Sequence, residues 1–298
     1  MTSKKRVPVD WAQRVADEMA RYIEENDTLP WLRPWNINGI FPSNLQTKHT
    51  YTGINAMLLG MYMGFRSYET PYFLTMNGMK AMGGSFKDWD GDAHDKGLPI
   101  VFWKMIRVED KTTGKDKTVP LLRGWTVWNV AHMENIELPP LPEPAFVDVP
   151  EAVASMEAQY PNPPKIEHEP SAQAYYSPLF DRVTLPMQSQ FTSLEGYAET
   201  KAHELVHSTG HRTRLSRFDE NANPHEAYAR EELVAEIGAA IMMQRCGLEP
   251  QMQRMADYVR GWGTRIKDDP KMLIGAANRA DKAVNLVLGL EQEQEVAA

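Results

Sequence analysis

An α+β protein of two domains is what this sequence predicts, and three observations carry the prediction. Nine of the 21 prolines fall within residues 137–170, a density that excludes helix interiors and central strands and marks a boundary. Seven of the eight tryptophans lie before residue 130, and residues 1–135 carry 17 Lys and Arg against 15 Asp and Glu, where the remainder carries 15 against 25. The second part also contains His203-Glu-Leu-Val-His207, inside a segment that reads as a capped helix. We therefore expect an N-terminal α+β domain over 1–136, a Pro-rich linker over 137–150 and a second domain over 151–298.

Each element follows from local pattern. Asp10 to Asn26 repeats Trp11, Val15, Met19 and Tyr22 at helical spacing, and Asn55 to Met63 is a second apolar helix. Leu29 to Leu45, with three prolines and a glycine, is a loop. Ile100 to Val108 and Arg123 to Val130 read as paired strands, and the charged run Glu109 to Lys117 is their hairpin tip. Beyond the boundary, Glu151 to Tyr160 is a short helix, and Ala174 to Tyr176 and Asp181 to Leu185 are short strands turning at Ser177-Pro178. Thr192-Ser-Leu-Glu195 matches a capping box and opens a helix that runs to about Thr209, with Gly210 just past its end. Arg230 to Gln244 and Met272 to Gly289 complete the helices.

Composition bounds the function. With 298 residues, 42% apolar and 24% charged, the chain can build real cores. No window approaches eighteen uncharged apolar residues, so no transmembrane helix and no membrane partner are expected. The basic residues near Met1 have no apolar run behind them, which excludes a secretory signal. A single cysteine, Cys246, rules out an internal disulfide framework, so a cytoplasmic protein is expected. The net charge of −8 argues against bulk electrostatic binding to duplex DNA.

The chemistry is concentrated in His203-Glu-Leu-Val-His207. Histidines at i and i+4 lie on one helical face, so both imidazoles can reach one metal ion, and zinc is the expected cofactor. Glu204 stands where such helices carry a general base toward a water that the metal has acidified. An open catalytic site needs a third ligand. His211 lies four residues past His207, but Gly210 ends the helix first, and the position of a further histidine at metzincin spacing is Thr213. Arg230-Glu-Glu-Leu-Val-Ala-Glu236 presents Glu232 and Glu236 on one face, the gluzincin arrangement, with Glu232 as ligand and Glu236 hydrogen-bonded to a ligand histidine. Glu231 lies about 100° round that helix and is expected to face solvent; Glu231, His211 and Asp219 stay open as alternative ligands. Tyr228 and His225 are candidates to stabilise an oxyanion. The strand over Asp181 to Leu185 is placed to act as the edge that pairs with extended peptide.

Ala198-Glu-Thr-Lys-Ala-His-Glu-Leu-Val-His-Ser-Thr-Gly-His-Arg-Thr-Arg-Leu-Ser-Arg217, with Tyr228-Ala-Arg-Glu-Glu-Leu-Val-Ala-Glu236 and Tyr175 to Pro186, resembles the antirestriction proteins of the ArdC type. Trp31-Leu-Arg-Pro-Trp35, Asn44 and Tyr51-Thr-Gly-Ile-Asn55 resemble that family's N-terminal domain, so the resemblance covers nearly the whole chain. It implies an N-terminal domain that binds single-stranded DNA, a C-terminal zincin-like metallopeptidase domain, and a plasmid- or phage-borne protein that protects incoming DNA from a host restriction endonuclease. Where the family has a Lys/Arg-rich stretch, this chain has the acidic Asp88 to Gly97. Single strands are held by aromatic faces beside cations. Trp31, Trp35, Tyr51 and Trp103 are the candidate platforms, with Arg33, Lys48 and Lys104 beside them. A DNA-binding protein with a non-proteolytic zinc site, and a metallopeptidase whose N-terminal domain binds protein, are the alternatives.

Overall fold

The computed structural model describes residues 9–26, 28–29, 36–37, 39–87, 96–109, 116–143, 147–218, 223–250, 261, 265–266 and 268–290. The chain runs through α1 (Trp11–Asn26), β1 (Ser43–Asn44), α2 (Gly53–Phe65), β2 (Tyr72–Thr75), α3 (Met76–Ala81), β3 (Ser85–Phe86), β4 (Leu98–Glu109), β5 (Asp116–Asn129) and β6 (Met133–Glu134). It continues through α4 (Val149–Ala158), β7 (Lys165–Glu169), β8 (Tyr175–Ser177), β9 (Arg182–Pro186), α5 (Leu194–Ser208), α6 (Pro224–Arg245) and α7 (Pro270–Val287). This is the α+β architecture the sequence predicts.

The N-terminal sheet has the order β1-β2-β5-β4, with β4 and β5 paired antiparallel from Leu98 opposite Val127 to Glu109 opposite Asp116. At its base this hairpin is buried through Leu98, Ile100, Val101, Phe102 and Val127. From Trp103 outward it leaves the core, and Trp103 is 47% exposed. The amphipathic helix α1 lays Val15, Met19, Tyr22 and Ile23 inward, whereas α2 is buried almost all round. The C-terminal sheet has the order β7-β9-β8, with β7 parallel and β8 antiparallel to β9. The strand expected to be a substrate-pairing edge, β9, is therefore central, and β8 is an edge. The polar β7 (Lys-Ile-Glu-His-Glu) pairs along β9 although its sequence shows no clean alternation.

Helix starts follow ordinary capping chemistry. Ser193, one residue after the predicted cap, accepts from the Gly196 amide at 3.0 Å to open α5. Asn223 accepts from the His225 amide at 3.0 Å, and Asp269 from Met272 at 3.1 Å. The exception is α2. Its N-cap, Thr52, makes no side-chain cap bond. Asn278 Oδ1 of α7 lies 3.5 Å from the Ile54 amide instead, and buried Asp281 of α7, near the Gly53 amide, accepts from Arg245 at 3.0 Å. The two domains accordingly share one hydrophobic core, in which Met57 and Leu58 of α2 belong with Leu273 and Ala277 of α7.

Gly53 has φ +53°, and a Cβ there would stand 2.2 Å from Asn278 Oδ1. Gly53→Ala should destabilise the protein by about 2 kcal/mol through left-handed strain and loss of the cap. Gly64→Ala, with open space around it near the end of the same helix, should be neutral or stabilising. Paired thermal melts check this; equal effects at both glycines would refute the capping role of α7.

Candidate metal centre

Helix α5 carries His203 and His207 one turn apart, and α6 crosses it to bring Glu232 between them. His203 Nε2 and His207 Nε2 are 3.0 Å apart, Glu232 Oε1 is 3.4 Å from His207 Nε2, and Glu232 Oε2 is 3.6 Å from His203 Nε2. Separations of this size are those of ligands around a single ion about 2 Å from each. Two imidazoles and one carboxylate, with donor atoms all within 4.8 Å of one another, make a chemically suitable set for a transition-metal ion.

The surroundings tune this set. Burial works against a charged His207, but Glu231, Glu232 and Glu204 outweigh it and raise its pKa to about 9. Burial opposes the charged form of Glu232 as well, yet His203 and His207 overcome it and hold the carboxyl well below the usual range. Glu204 is buried beside the histidines. Desolvation raises its pKa, the two histidines lower it, and Glu232 adds to the rise. The Tyr176 backbone amide lowers it slightly, and edge strand β8 packs beside the metal helix. Tyr228 is 68% exposed, and its phenol is raised first by the charge of Glu232, then by burial and a hydrogen bond to the same carboxylate. These groups line a cleft of about 960 Å³ that also includes Tyr175, Phe218, Arg279 and Lys282.

The other candidate residues stand as follows in the fold. Glu231 does not face solvent: its Oε1 is 3.5 Å from His207 Nδ1, and Arg217 holds it through Nη2 at 2.5 Å and Nε at 3.2 Å. Arg217 also donates to the Val206 carbonyl at 2.9 Å and to the Thr209 hydroxyl, tying the carboxylate to the end of the metal helix. For His207, Glu231 thus takes the part expected of Glu236, which is buried one turn farther along α6. His211 is turned to Thr213, with Nδ1 2.8 Å from its hydroxyl, and stands outside the cluster. His225 is exposed and does not line the cleft, while Asp219 lies outside the described residues.

The N-terminal candidates divide. Trp31, Arg33 and Trp35 lie outside the described residues. Tyr51 is 2% exposed, so its ring is core and cannot serve as a platform. Lys48 is exposed, with φ +59°. Trp103 and Lys104 are both exposed, but neighbours on a strand point to opposite faces, so Lys104 does not stand beside the Trp103 ring. Arg107 shares the face of Trp103. Gly124, opposite Val101 on that face, packs on the Trp11 ring, over which the Arg14 guanidinium lies at 5.2 Å.

The fold and the three-donor cluster define a zincin-like metallopeptidase domain packed against an N-terminal α+β domain. Residues 160–279 match the family model of zincin-like metallopeptidases, and residues 9–128 match the N-terminal domain of anti-restriction factor ArdC. The metal-free crystal structure of the antirestriction protein ArdC from plasmid R388 superposes with a TM-score of 0.72 at 31% identity, covering 95% of this chain and all of that one. Its Mn(II)-bound form gives the same TM-score and identity over 94% and 98%. The chain belongs to the ArdC family of antirestriction proteins. It is also 33% identical to a DNA primase TraC of Escherichia coli over 95% of its length, and 29% identical to a second over 94%. It spans 27% and 20% of those two relatives.

Glu231→Gln should weaken metal affinity roughly ten- to a hundredfold while keeping one ion bound, because it removes the charge that orients His207. A chelator competition titration checks it; an unchanged constant would reduce the Arg217–Glu231 clamp to packing.

Proposed function

We propose that this protein binds single-stranded DNA through its N-terminal domain, holds zinc at His203, His207 and Glu232, hydrolyses peptide bonds there, and so protects incoming DNA from host restriction. The observation that carries the reading is the convergence of the two imidazoles, the Glu232 carboxylate and buried Glu204 at one cleft bordered by an edge strand. Its placement beside an ArdC-type N-terminal domain ties that cleft to incoming DNA, with a restriction endonuclease or another host protein as substrate.

A bound metal supplies Lewis acidity toward a carbonyl and toward water. The chain's own groups do the rest. Strand β8 offers backbone pairing to an extended peptide. Glu204, with its pKa raised by burial, accepts a proton and returns it to the leaving amine. The Tyr228 phenol, poised at the cleft mouth beside Glu232, donates a hydrogen bond to a developing oxyanion. In the N-terminal domain the exposed Trp103 ring, with Arg107 on its face, supplies a stacking surface and a cation.

Glu204→Gln should keep zinc and the melting temperature yet lose at least about a hundredfold in hydrolysis of denatured casein. His207→Ala should lose zinc and melt lower. Metal analysis, calorimetry and a casein assay on the full chain decide. Zinc lost from Glu204→Gln would make Glu204 a ligand, and cleavage retained would remove it as the base.

Trp103→Ala in the full chain should weaken single-strand binding by about 1–3 kcal/mol, since one stacked base contributes that much. Fluorescence anisotropy with a labelled oligonucleotide reads the change. Duplex bound as tightly as single strand would overturn the stacking model.

A further inference from the structure

We infer that the metal cleft recognises acidic peptide, and that Arg279 and Lys282 on α7 form the subsite for an acidic side chain. The inference rests on the peptidase reading and names its substrate class.

Four cationic side chains line the cleft besides the histidines: Arg217, Arg230, Arg279 and Lys282. Two are engaged. Arg217 holds Glu231, and Arg230 lies 3.9 Å from Glu226. Arg279 and Lys282 are exposed, and among the described residues neither has an ion-pair partner. They stand at i and i+3, which puts them about 5–6 Å apart on one helical face. An ordinary solvated helix would offset two such cations with acids three or four residues away. Here those positions are Gly275, Ala276, Asn278, Ala283, Asn285 and Leu286. The nearby acid on α7, Asp281, is buried against Arg245. Among the described residues the pair thus presents unpaired positive charge to the cleft wall, and a carboxylate is the group that would neutralise it.

The floor of the cleft decides between carboxylate and phosphate backbone. Glu204, Glu231 and Glu232 gather there against Arg217, and a divalent ion would leave that floor without net positive charge, so a polyanion laid along the cleft would gain nothing at the metal end. A peptide can place a neutral peptide bond at the floor and a single acid at the rim. The apolar lining from Tyr175, Tyr176 and Phe218 suits the rest of such a segment.

Binding separates this from the catalytic reading. The probe is a short labelled peptide with two glutamates, compared with the same peptide carrying glutamines, on full-chain, zinc-loaded Glu204→Gln protein. We expect the acidic peptide to bind roughly tenfold tighter. The double charge reversal Arg279→Glu with Lys282→Glu should erase the preference, whereas Lys271→Glu, on the same helix outside the cleft, should keep it. Equal affinities for the two peptides, or a preference untouched by the double variant, would overturn the inference. So would single-stranded oligonucleotide displacing the peptide and losing that ability in the double variant, which would assign the cations to nucleic acid. Acidic preference without any cleavage by the unmodified protein would sink the peptidase reading and leave the recognition standing.

Discussion

The metal centre depends on how closely α5 and α6 approach. At their crossing Gly238 faces Val206, and a Cβ on Gly238 would lie 2.8 Å from each Val206 methyl. A glycine inside a helix costs about 1 kcal/mol relative to alanine. It is accommodated here because any side chain would push the two backbones apart. Ala235, Ala239 and Ala240 keep the neighbouring surface of α6 small and are fully or nearly fully buried. Donor atoms 3.0 to 3.6 Å apart leave little room for such a shift, so the side-chain reach of Glu232 to both histidines follows from a residue with no side chain.

Close approach alone would leave His207 free to rotate. Its orientation comes from Glu231, and that of Glu231 from Arg217, whose side chain is only 7% exposed. Arg217 lies in the loop after α5, and its guanidinium returns to the Val206 carbonyl and the Thr209 hydroxyl at the end of that helix. One cation thus satisfies helix-end acceptors and anchors the carboxylate on the facing helix. Adjacent glutamates on α6 take different work because they point about 100° apart: Glu232 faces the gap between the imidazoles, and Glu231 faces the Nδ1 side of one of them.

This explains what could be read in the sequence. The histidine pair is a local pattern, and the phase of a helix follows from its own apolar residues, so the convergence of His203, His207 and Glu232 was legible. Glu231 was not, because its partner Arg217 reaches it only through the fold of an irregular loop. Strand β7 was illegible because its residues are polar and its pairing with β9 is non-local. Tyr51 and Lys104 failed for opposite reasons. Burial of Tyr51 is set by packing that no short string encodes, while the strand period that separates Lys104 from Trp103 was available and was outweighed by nearness in sequence. The edge strand was misassigned because order along the chain does not give order in a sheet.

Helix α7 draws these parts together. Asn278 and Asp281 meet the amide end of α2, where Thr52 supplies no cap, while Asp281 also pairs with Arg245 at the end of α6. Between and beside them in sequence, Arg279 and Lys282 turn to the metal cleft. Residues 278 and 281 are one helical turn apart, as are 279 and 282, and the two pairs are offset by about 100°. A helix is stiff over so short a span. The amide end of a helix in the N-terminal domain and the charged rim of the metal cleft are therefore fixed to the same rigid rod, and the position of one sets the position of the other.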